Sequence, residues 1–230
     1  MKIASLTVAY NEEEVIGGCL SLLQMDKLVI IPIKTFSGQR ITKRDRTEQI
    51  AKACGAKVVY VDLDREYECR NYGLGLLRDY DYALIVDADE YWPLETQKRI
   101  INLLDGKAYK AKMDFFFKQS NWQIVGNHNW AVVAIRTDER FSSKRPRQVN
   151  GAEMIDIGKI YHFAYVRTPE KIKEKIEAFS HATEIIPNWY ENVFMKFTPE
   201  MKDFHPVNPK EYPRCKVVDL PEEISQALNK

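Results

Sequence analysis

Between Ile3 and Val86 the chain alternates short β-rich runs with helical patterns, and this alternation is the strongest constraint on its fold. Ile3 to Ala9 is the first β-rich run. Val15, Ile16, Cys19, Leu20, Leu22 and Leu23 then recur at helical spacing within Glu12 to Gln24, with Asn11 as the expected cap. Leu28 to Ile33 reads as a second strand. Thr42 followed by Asp45 predicts a capping-box-like start for a helix through Ile50 and Cys54, ended by Gly55. Lys57 to Val61 is a third strand, Cys69 to Arg78 a helix and Tyr82 to Val86 a fourth strand, after which Pro93 opens a helix through Ile100, Ile101 and Leu104. Such alternation implies an α/β fold with a mostly parallel sheet and right-handed crossovers.

After Gly106 the character changes. Tyr109 to Phe117 and Trp130 to Ile135 read as strands separated by a polar, aromatic segment, Gln119 to Asn129, and Lys159 to Tyr165 is a further short strand. Pro169 starts a charged helix in which lysine and glutamate alternate around a stripe of Ile172, Ile176 and Phe179, the pattern of a solvated face packed on one side. That helix is given no chemistry, and the chain from Pro187 onward reads as loop-rich. The expected organisation is one domain over 1–230, with 1–106 as the ligand-binding half and 107–230 as a mixed second half that shapes another substrate's pocket.

Composition removes several classes. With 34 basic and 33 acidic residues the chain lacks the net charge of a dedicated nucleic-acid or anionic-membrane protein. Cys19, Cys54, Cys69 and Cys215 have no C-x-x-C spacing and read as reduced thiols rather than a zinc site or a disulfide framework. Glu12 to Glu14 follow the first apolar run too closely for a signal peptide, and no apolar run is long enough to cross a bilayer. The expected location is cytoplasmic, with any lipid-linked acceptor met at the inner membrane surface.

Chemistry concentrates at Tyr82 to Glu90, YALIVDADE, where a buried strand runs into Asp87, Asp89 and Glu90. A parallel sheet binds its ligands at the carboxyl edge, where these acids emerge. Two carboxylates so close repel one another, and a divalent cation between them and a ligand phosphate would relieve that repulsion. A solvated acidic turn at a strand end is the alternative.

Three segments in order, VAYNEE (Val8 to Glu13), CRNYGL (Cys69 to Leu74) and IVDADE (Ile85 to Glu90), resemble the motifs of family 2 glycosyltransferases with the GT-A fold, over about the first half of the chain. The resemblance implies a Rossmann-like three-layer sandwich and a nucleoside-diphosphate sugar donor, UDP-sugars foremost. Ala9, Tyr10, Asn11 and Glu12 fall where that family holds the nucleotide base, with Tyr10 able to stack on it. Arg70 falls near the nucleotide; a structural ion pair with Asp62 or Asp64 is the alternative. Asp87 corresponds to the acid that reaches ribose or metal and Asp89 to the metal-binding acid, with Mn²⁺ or Mg²⁺ as the implied cofactor. The family's acidic loop after the second strand is replaced here by KTFSGQRITKRD, in which Phe36, Ser37 and Gly38 are the nearest counterpart.

The implied reaction is transfer of the sugar to an acceptor hydroxyl by direct displacement with inversion, which requires a base. On the acceptor side Glu153 is the first candidate and Asp156 the second; a surface role for Glu153 is the alternative. His162 is a candidate further metal ligand, in competition with His205 and His181, and otherwise a hydrogen-bonded core residue. Trp122 and Trp130, flanking Asn121, Gln123, Asn127, His128 and Asn129, have the chemistry of a sugar subsite or of core packing. The expected acceptor is a glycan, a lipid-linked molecule or a small molecule. Basic clusters at Arg40, Lys43, Arg44 and Arg46, and at Arg136, Arg140, Lys144, Arg145 and Arg147, admit a modified nucleic-acid base as acceptor instead. Two further readings are a nucleotidyltransferase, against which AYNEEE argues, and a binding module that has lost its chemistry.

Overall fold

The β-rich runs around Leu6, Leu28 to Ile31 and Ala83 to Ile85 become inner strands because their residues are mostly apolar and are buried on both faces. The computed structural model describes residues 1–36, 38, 41, 43–126, 130–142, 147–178 and 182–230. Strands β1 (Ile3–Val8), β2 (Asp26–Pro32), β3 (Lys57–Val61) and β4 (Tyr82–Ile85) pair in parallel, with Leu6 opposite both Leu28 and Ile85. They are connected through α1 (Ile16–Leu22), α2 (Thr47–Ala53) and α3 (Glu66–Leu76). Leu28, Ile30, Ala83 and Ile85 pack on the α3 side with Cys69 and Leu74, while Val29, Ile31, Leu84 and Val86 pack on the opposite side with Ile16, Cys19 and Leu20 of α1. A sheet covered on both faces is the three-layer arrangement that the alternation predicts.

The second half departs from that simple plan. Beyond β5 (Glu90–Tyr91) and α4 (Leu94–Leu103), the run Tyr109 to Phe117 is two strands rather than one, β6 (Ala108–Lys112) and β7 (Asp114–Phe117), and they belong to different sheets. Further along are β8 (Trp122–Val125), β9 (Trp130–Arg136), β10 (Glu153–Met154), β11 (Tyr161–Tyr165), α5 (Pro169–Ala178), β12 (Arg214–Val217) and α6 (Glu222–Ala227). The larger sheet has seven strands in the order β10-β6-β9-β4-β1-β2-β3, mixed because β9 runs antiparallel to both β4 and β6. The smaller has five, in the order β12-β8-β7-β11-β5. β8 lies inside the polar, aromatic segment between the two expected strands, and β12 and α6 lie inside the stretch expected to be loop-rich.

Aromatic side chains hold the smaller sheet. Phe117 touches the rings of Tyr165, Trp189, Phe194, Phe197 and Phe204, and Trp122 packs on Phe197 at 5.6 Å. Trp122 is therefore a packing residue. Trp130 stays exposed at the edge of the larger sheet's β6–β9 pair, opposite Lys112.

Two boundaries differ from expectation for local reasons. Asn11 does not cap α1: its φ is +50°, its carboxamide is spent on Glu174 and on the Asp45 N–H, and a turn from Glu12 intervenes before Ile16. α2 starts at Thr47, whose N–H donates to Asp45 Oδ1 at 2.9 Å, while Thr42 lies outside the described residues. Gly55, with φ +77°, ends the α2 segment as expected.

Gly18 marks the closest approach between α1 and its neighbours. A Cβ there would sit 2.3 Å from the Ala227 carbonyl oxygen of α6 and 2.3 Å from the Tyr91 hydroxyl. Gly18→Ala is expected to cost about 1–3 kcal/mol by overpacking. Gly75→Ala in α3, where a Cβ meets open space, is expected to stabilise by up to about 1 kcal/mol through helix propensity. Urea unfolding of the two variants beside the wild type measures both.

Candidate active site

The acidic run of residues 87–90 is where the two sheets meet. β4 ends at Ile85, and β5 then pairs antiparallel with β11, setting Glu90 opposite His162 and joining the Phe163 N–H to the Asp89 carbonyl at 2.8 Å. The acids are thereby carried off the carboxyl edge of the larger sheet into a buried crossing point, and every one of them is matched by cations from distant parts of the chain.

Asp87 is held from two sides. Its Oδ1 accepts from Arg70 at 2.8 Å and its Oδ2 from Arg147 at 2.9 Å. Arg70, on α3 and 1% exposed, also pairs with Glu66 at 2.6 Å. It does not pair with Asp62 or Asp64, which go to Lys34. Arg147 donates further to both Glu90 oxygens and to the carbonyls of Val132 and Ile85. Burial pushes the Glu90 carboxyl upward, with Arg147 opposing and Asp87 reinforcing that shift. Arg147 is thus a buried member of the site, although its sequence neighbours suggested a basic surface cluster.

Asp89 has the densest set of partners. His162 Nε2 donates to Oδ1 at 3.0 Å, and Oδ2 receives both Arg167 at 2.6 Å and Lys175 Nζ at 2.7 Å. Burial alone would raise its pKa, but Lys175, His162 and Arg167 hold the carboxyl well below the ordinary 3.8. For His162, burial pulls downward, while Asp89, Glu90 and Asp87 outweigh it and raise the imidazole above its ordinary 6.5.

Above these acids lies a cleft of about 270 Å³. Its floor and one wall come from the strand ends, through Val8, Tyr10, Asn11 and Glu12 after β1, Lys34 to Phe36 after β2, and Asp87 to Asp89 after β4. The facing wall is His162, Arg167 and one side of α5, where Lys171, Glu174, Lys175 and Ala178 recur at helical spacing. This overturns the expectation of a solvated helix: Ile172 and Ile176 are buried as predicted, but the charged side faces the cleft. Arg167 reaches Glu12, Lys171 reaches Asp45 at 2.7 Å, and Glu174 accepts from Asn11 and the Tyr10 hydroxyl. Burial and the Glu174 carboxylate push the Tyr10 phenol up to about 12.

Of the residues singled out from sequence, Tyr10, Asn11, Glu12, Asp87, Asp89 and His162 line this cleft. Ala9 is buried in the core, with its N–H on the Ile30 carbonyl, and Arg70 supports Asp87 from behind. Glu153 lies instead on the edge strand β10, paired with Tyr109 on β6 and beside Gly106, and Asp156 accepts the Gly158 N–H at 3.0 Å. Neither belongs to the cleft lining. His205 uses Nδ1 to accept the N–H groups of Val207 and Asn208, a turn role away from the cleft. His181, Ser37, Asn127, His128 and Asn129 lie outside the described residues.

Four arginines of the basic clusters have local partners. Arg44 stacks over Tyr60 and Arg46 pairs with Glu13. Arg136 pairs with Asp138, and Arg140 donates to the Thr137 and Glu139 carbonyls. Arg40, Lys144 and Arg145 lie outside the described residues.

A divalent cation does not fit the donor set as it stands. Each oxygen of Asp87 and Asp89 already accepts from a guanidinium, an ammonium or the imidazole. No cluster of metal-ligating side chains occurs among the described residues. A histidine that ligates through Nε2 normally donates its Nδ1–H to a fixed acceptor. His162 Nδ1 is buried with no hydrogen-bond partner among the described residues.

The cleft's position at the carboxyl ends of β1, β2 and β4 defines the class of fold, the Rossmann-like GT-A type, as the sequence motifs imply. Solved structures agree. The chain superposes on S. aureus TarS with a TM-score of 0.50 and 17% identity, covering 77% of this chain and 38% of that one. It superposes on the mannosyltransferase PcManGT from Pyrobaculum calidifontis, solved with GDP-Man and Mn²⁺, with a TM-score of 0.50 and 13% identity, covering 79% and 64% of the two chains. The chain therefore spans less than two thirds of either. No family model and no curated protein matches the sequence. No helix among the described residues is long and apolar enough to cross a membrane, and the four cysteines are free thiols.

Arg147→Met would leave Glu90 and Asp87 buried without their shared cation. The expected loss is about 3–5 kcal/mol in urea unfolding, against less than about 0.5 kcal/mol for Asp156→Asn at the surface. The pH dependence follows from the signs of the shifts. A carboxyl held below its ordinary pKa contributes stability that is intact above 3.8 and lost as the pH falls through its lower folded value. A histidine held above 6.5 contributes stability that is intact below that value and lost as the pH rises through its folded pKa. Thermal unfolding across pH should show both limbs, with the acid limb shallower in Asp89→Asn and the alkaline limb shallower in His162→Gln.

Proposed function

We propose that this chain is a glycosyltransferase that binds a nucleoside-diphosphate sugar in the cleft and passes the sugar to an acceptor hydroxyl. The observation that carries this reading is the cleft itself. At the carboxyl edge of a GT-A sheet, one cleft is lined both by an aromatic ring and a carboxamide (Tyr10, Asn11) and by cations (Arg167, Lys175). An aromatic face suits a nucleobase, and fixed cations suit a diphosphate.

In the proposed reaction the acceptor oxygen forms its bond to the anomeric carbon as the bond from that carbon to the diphosphate oxygen breaks. The electron pair leaves on the nucleoside diphosphate, the acceptor's proton passes to a general base, and the configuration inverts. The protein's task is to orient the donor and stabilise the charge gathering on the leaving group. Asp89 fixes the cations, and Arg70 and Arg147 fix Asp87. Glu153 and Asp156 stand off the cleft, so this reading gives them no step. UDP-sugars are the first donors to examine, with a glycan, a lipid-linked molecule or a small molecule as acceptor. A nucleic-acid acceptor draws less support, because Arg46 and Arg136 are paired with acids and Arg147 is buried on Asp87 and Glu90.

Calorimetry with UDP, GDP, CDP, ADP and dTDP, and with their sugars, tests the donor half. One nucleotide is expected to bind, and Tyr10→Ala to weaken it about tenfold through lost stacking. If none binds, with or without Mn²⁺, the glycosyltransferase reading is overturned.

A further inference from the structure

We infer that this chain grips the donor's diphosphate with its own α5 cations, Lys175 above all with Arg167 beside it, and not through a divalent metal on Asp89. The inference rests on the donor-binding reading above and specifies how that site works.

Every oxygen of the two acids that sequence reads as metal ligands already accepts from a cation or the imidazole. Asp89 Oδ2 lies 2.7 Å from Lys175 Nζ and 2.6 Å from Arg167. A dication at that carboxylate would stand within a few ångströms of two fixed positive charges, with Arg70 and Arg147 just beyond on Asp87. At such range like charges repel by several kcal/mol at the effective dielectric of a protein surface. The metal would have to expel Lys175 to bind.

The same geometry suits an anion. An ammonium has three donors, and Lys175 spends one on Asp89 among the described residues, so N–H groups remain for the cleft in which its side chain is one-quarter exposed. Arg167 lines the same cleft, is 2% exposed, and has a buried Nε–H with no acceptor among the described residues. Both cations are held by the same carboxylate oxygen. Asp89 is on this account a positioning residue: it fixes the ammonium where a metal would otherwise sit. Lys171, on the same helix face, is tied instead to Asp45, Glu13 and Glu174.

The test is calorimetric binding of the UDP, GDP, CDP, ADP and dTDP panel to the full chain in EDTA and in Mn²⁺. It is paired with electron paramagnetic resonance of free Mn²⁺ in the presence of protein and nucleotide. Expected is a Kd that agrees within about threefold in EDTA and Mn²⁺, and a Mn²⁺ signal no more quenched than by nucleotide alone. In EDTA, Lys175→Met should weaken binding about tenfold or more, the loss of a charge-assisted contact, while Lys175→Arg retains most of it. Asp89→Asn should weaken binding in EDTA as well, which a pure metal ligand would not do. Thermal melting of each variant separates loss of the site from loss of the fold, and Lys175→Arg keeps the comparison available should Lys175→Met unfold.

Binding that requires Mn²⁺, quenches its signal and ignores Lys175→Met overturns the inference and leaves the glycosyltransferase reading standing. Metal-free binding that Lys175→Met leaves intact overturns the role of Lys175. Absence of binding under either condition overturns both readings together.

Discussion

The structure depends on how the chain gathers four acidic side chains around one crossing of strands, Asp89 and Glu90 buried, Glu12 and Asp87 half-buried. Removing a carboxylate from water costs several kcal/mol unless a well-placed partner compensates it. Here the partners are Arg70, Arg147, Arg167 and Lys175, and none is a near neighbour in sequence of the acid it meets across the sheet. Arg147 lies 60 residues from Asp87, Arg167 lies 78 from Asp89, and Lys175 lies 86 from Asp89. Such a network forms only when α3, the segment after β9, β11 and α5 are all in place. It therefore ties the shape of the cleft to completion of the fold.

That constraint also explains the relation between the two sheets. β5 is only Glu90–Tyr91, yet it contributes to both requirements. Glu90 takes the fork of Arg147 beneath the larger sheet, while Tyr91 packs edge-on to Phe163 and donates to the Val15 carbonyl of the segment entering α1. The smaller sheet is then held by aromatic contacts around Phe117, which supply large apolar area with few rotamers to freeze. Electrostatics fixes where the sheets cross, and ring packing fixes what lies behind that crossing.

Much of the first half was legible because its signals are local. Lys57–Val61 is bounded by turn chemistry on both sides, and the helices between strands carry their period in a single stripe. The second half hides its decisions in tertiary events. Tyr109 to Phe117 reads as one strand because nothing in its pattern says that the chain leaves one sheet at Lys112 and joins another at Asp114. Trp122–Val125 passes for a polar loop because β8 is an inner strand of a small, aromatic sheet whose facing residues come from far along the chain. On the site, Asp87 and Asp89 were found from a strand running into acids, whereas Arg147 was submerged in a basic run. The Lys171, Glu174, Lys175 face of α5 has the composition of any solvated helix; the spacing was visible, but composition cannot say whether such a face meets bulk water or a cleft.

From sequence, two acids on adjacent alternate positions have one economical explanation, a shared cation, and the inferred cation is a metal because no other is in view. The fold supplies others. Once Lys175, His162 and Arg167 occupy the Asp89 carboxylate, its charge is balanced by side chains of the protein itself. The same pair of acids can thus serve either to recruit a dication or to orient fixed cations. What decides between them is whether the opposing wall of the cleft presents neutral ligands or positive charge, and here that wall is α5, with its lysines turned inward.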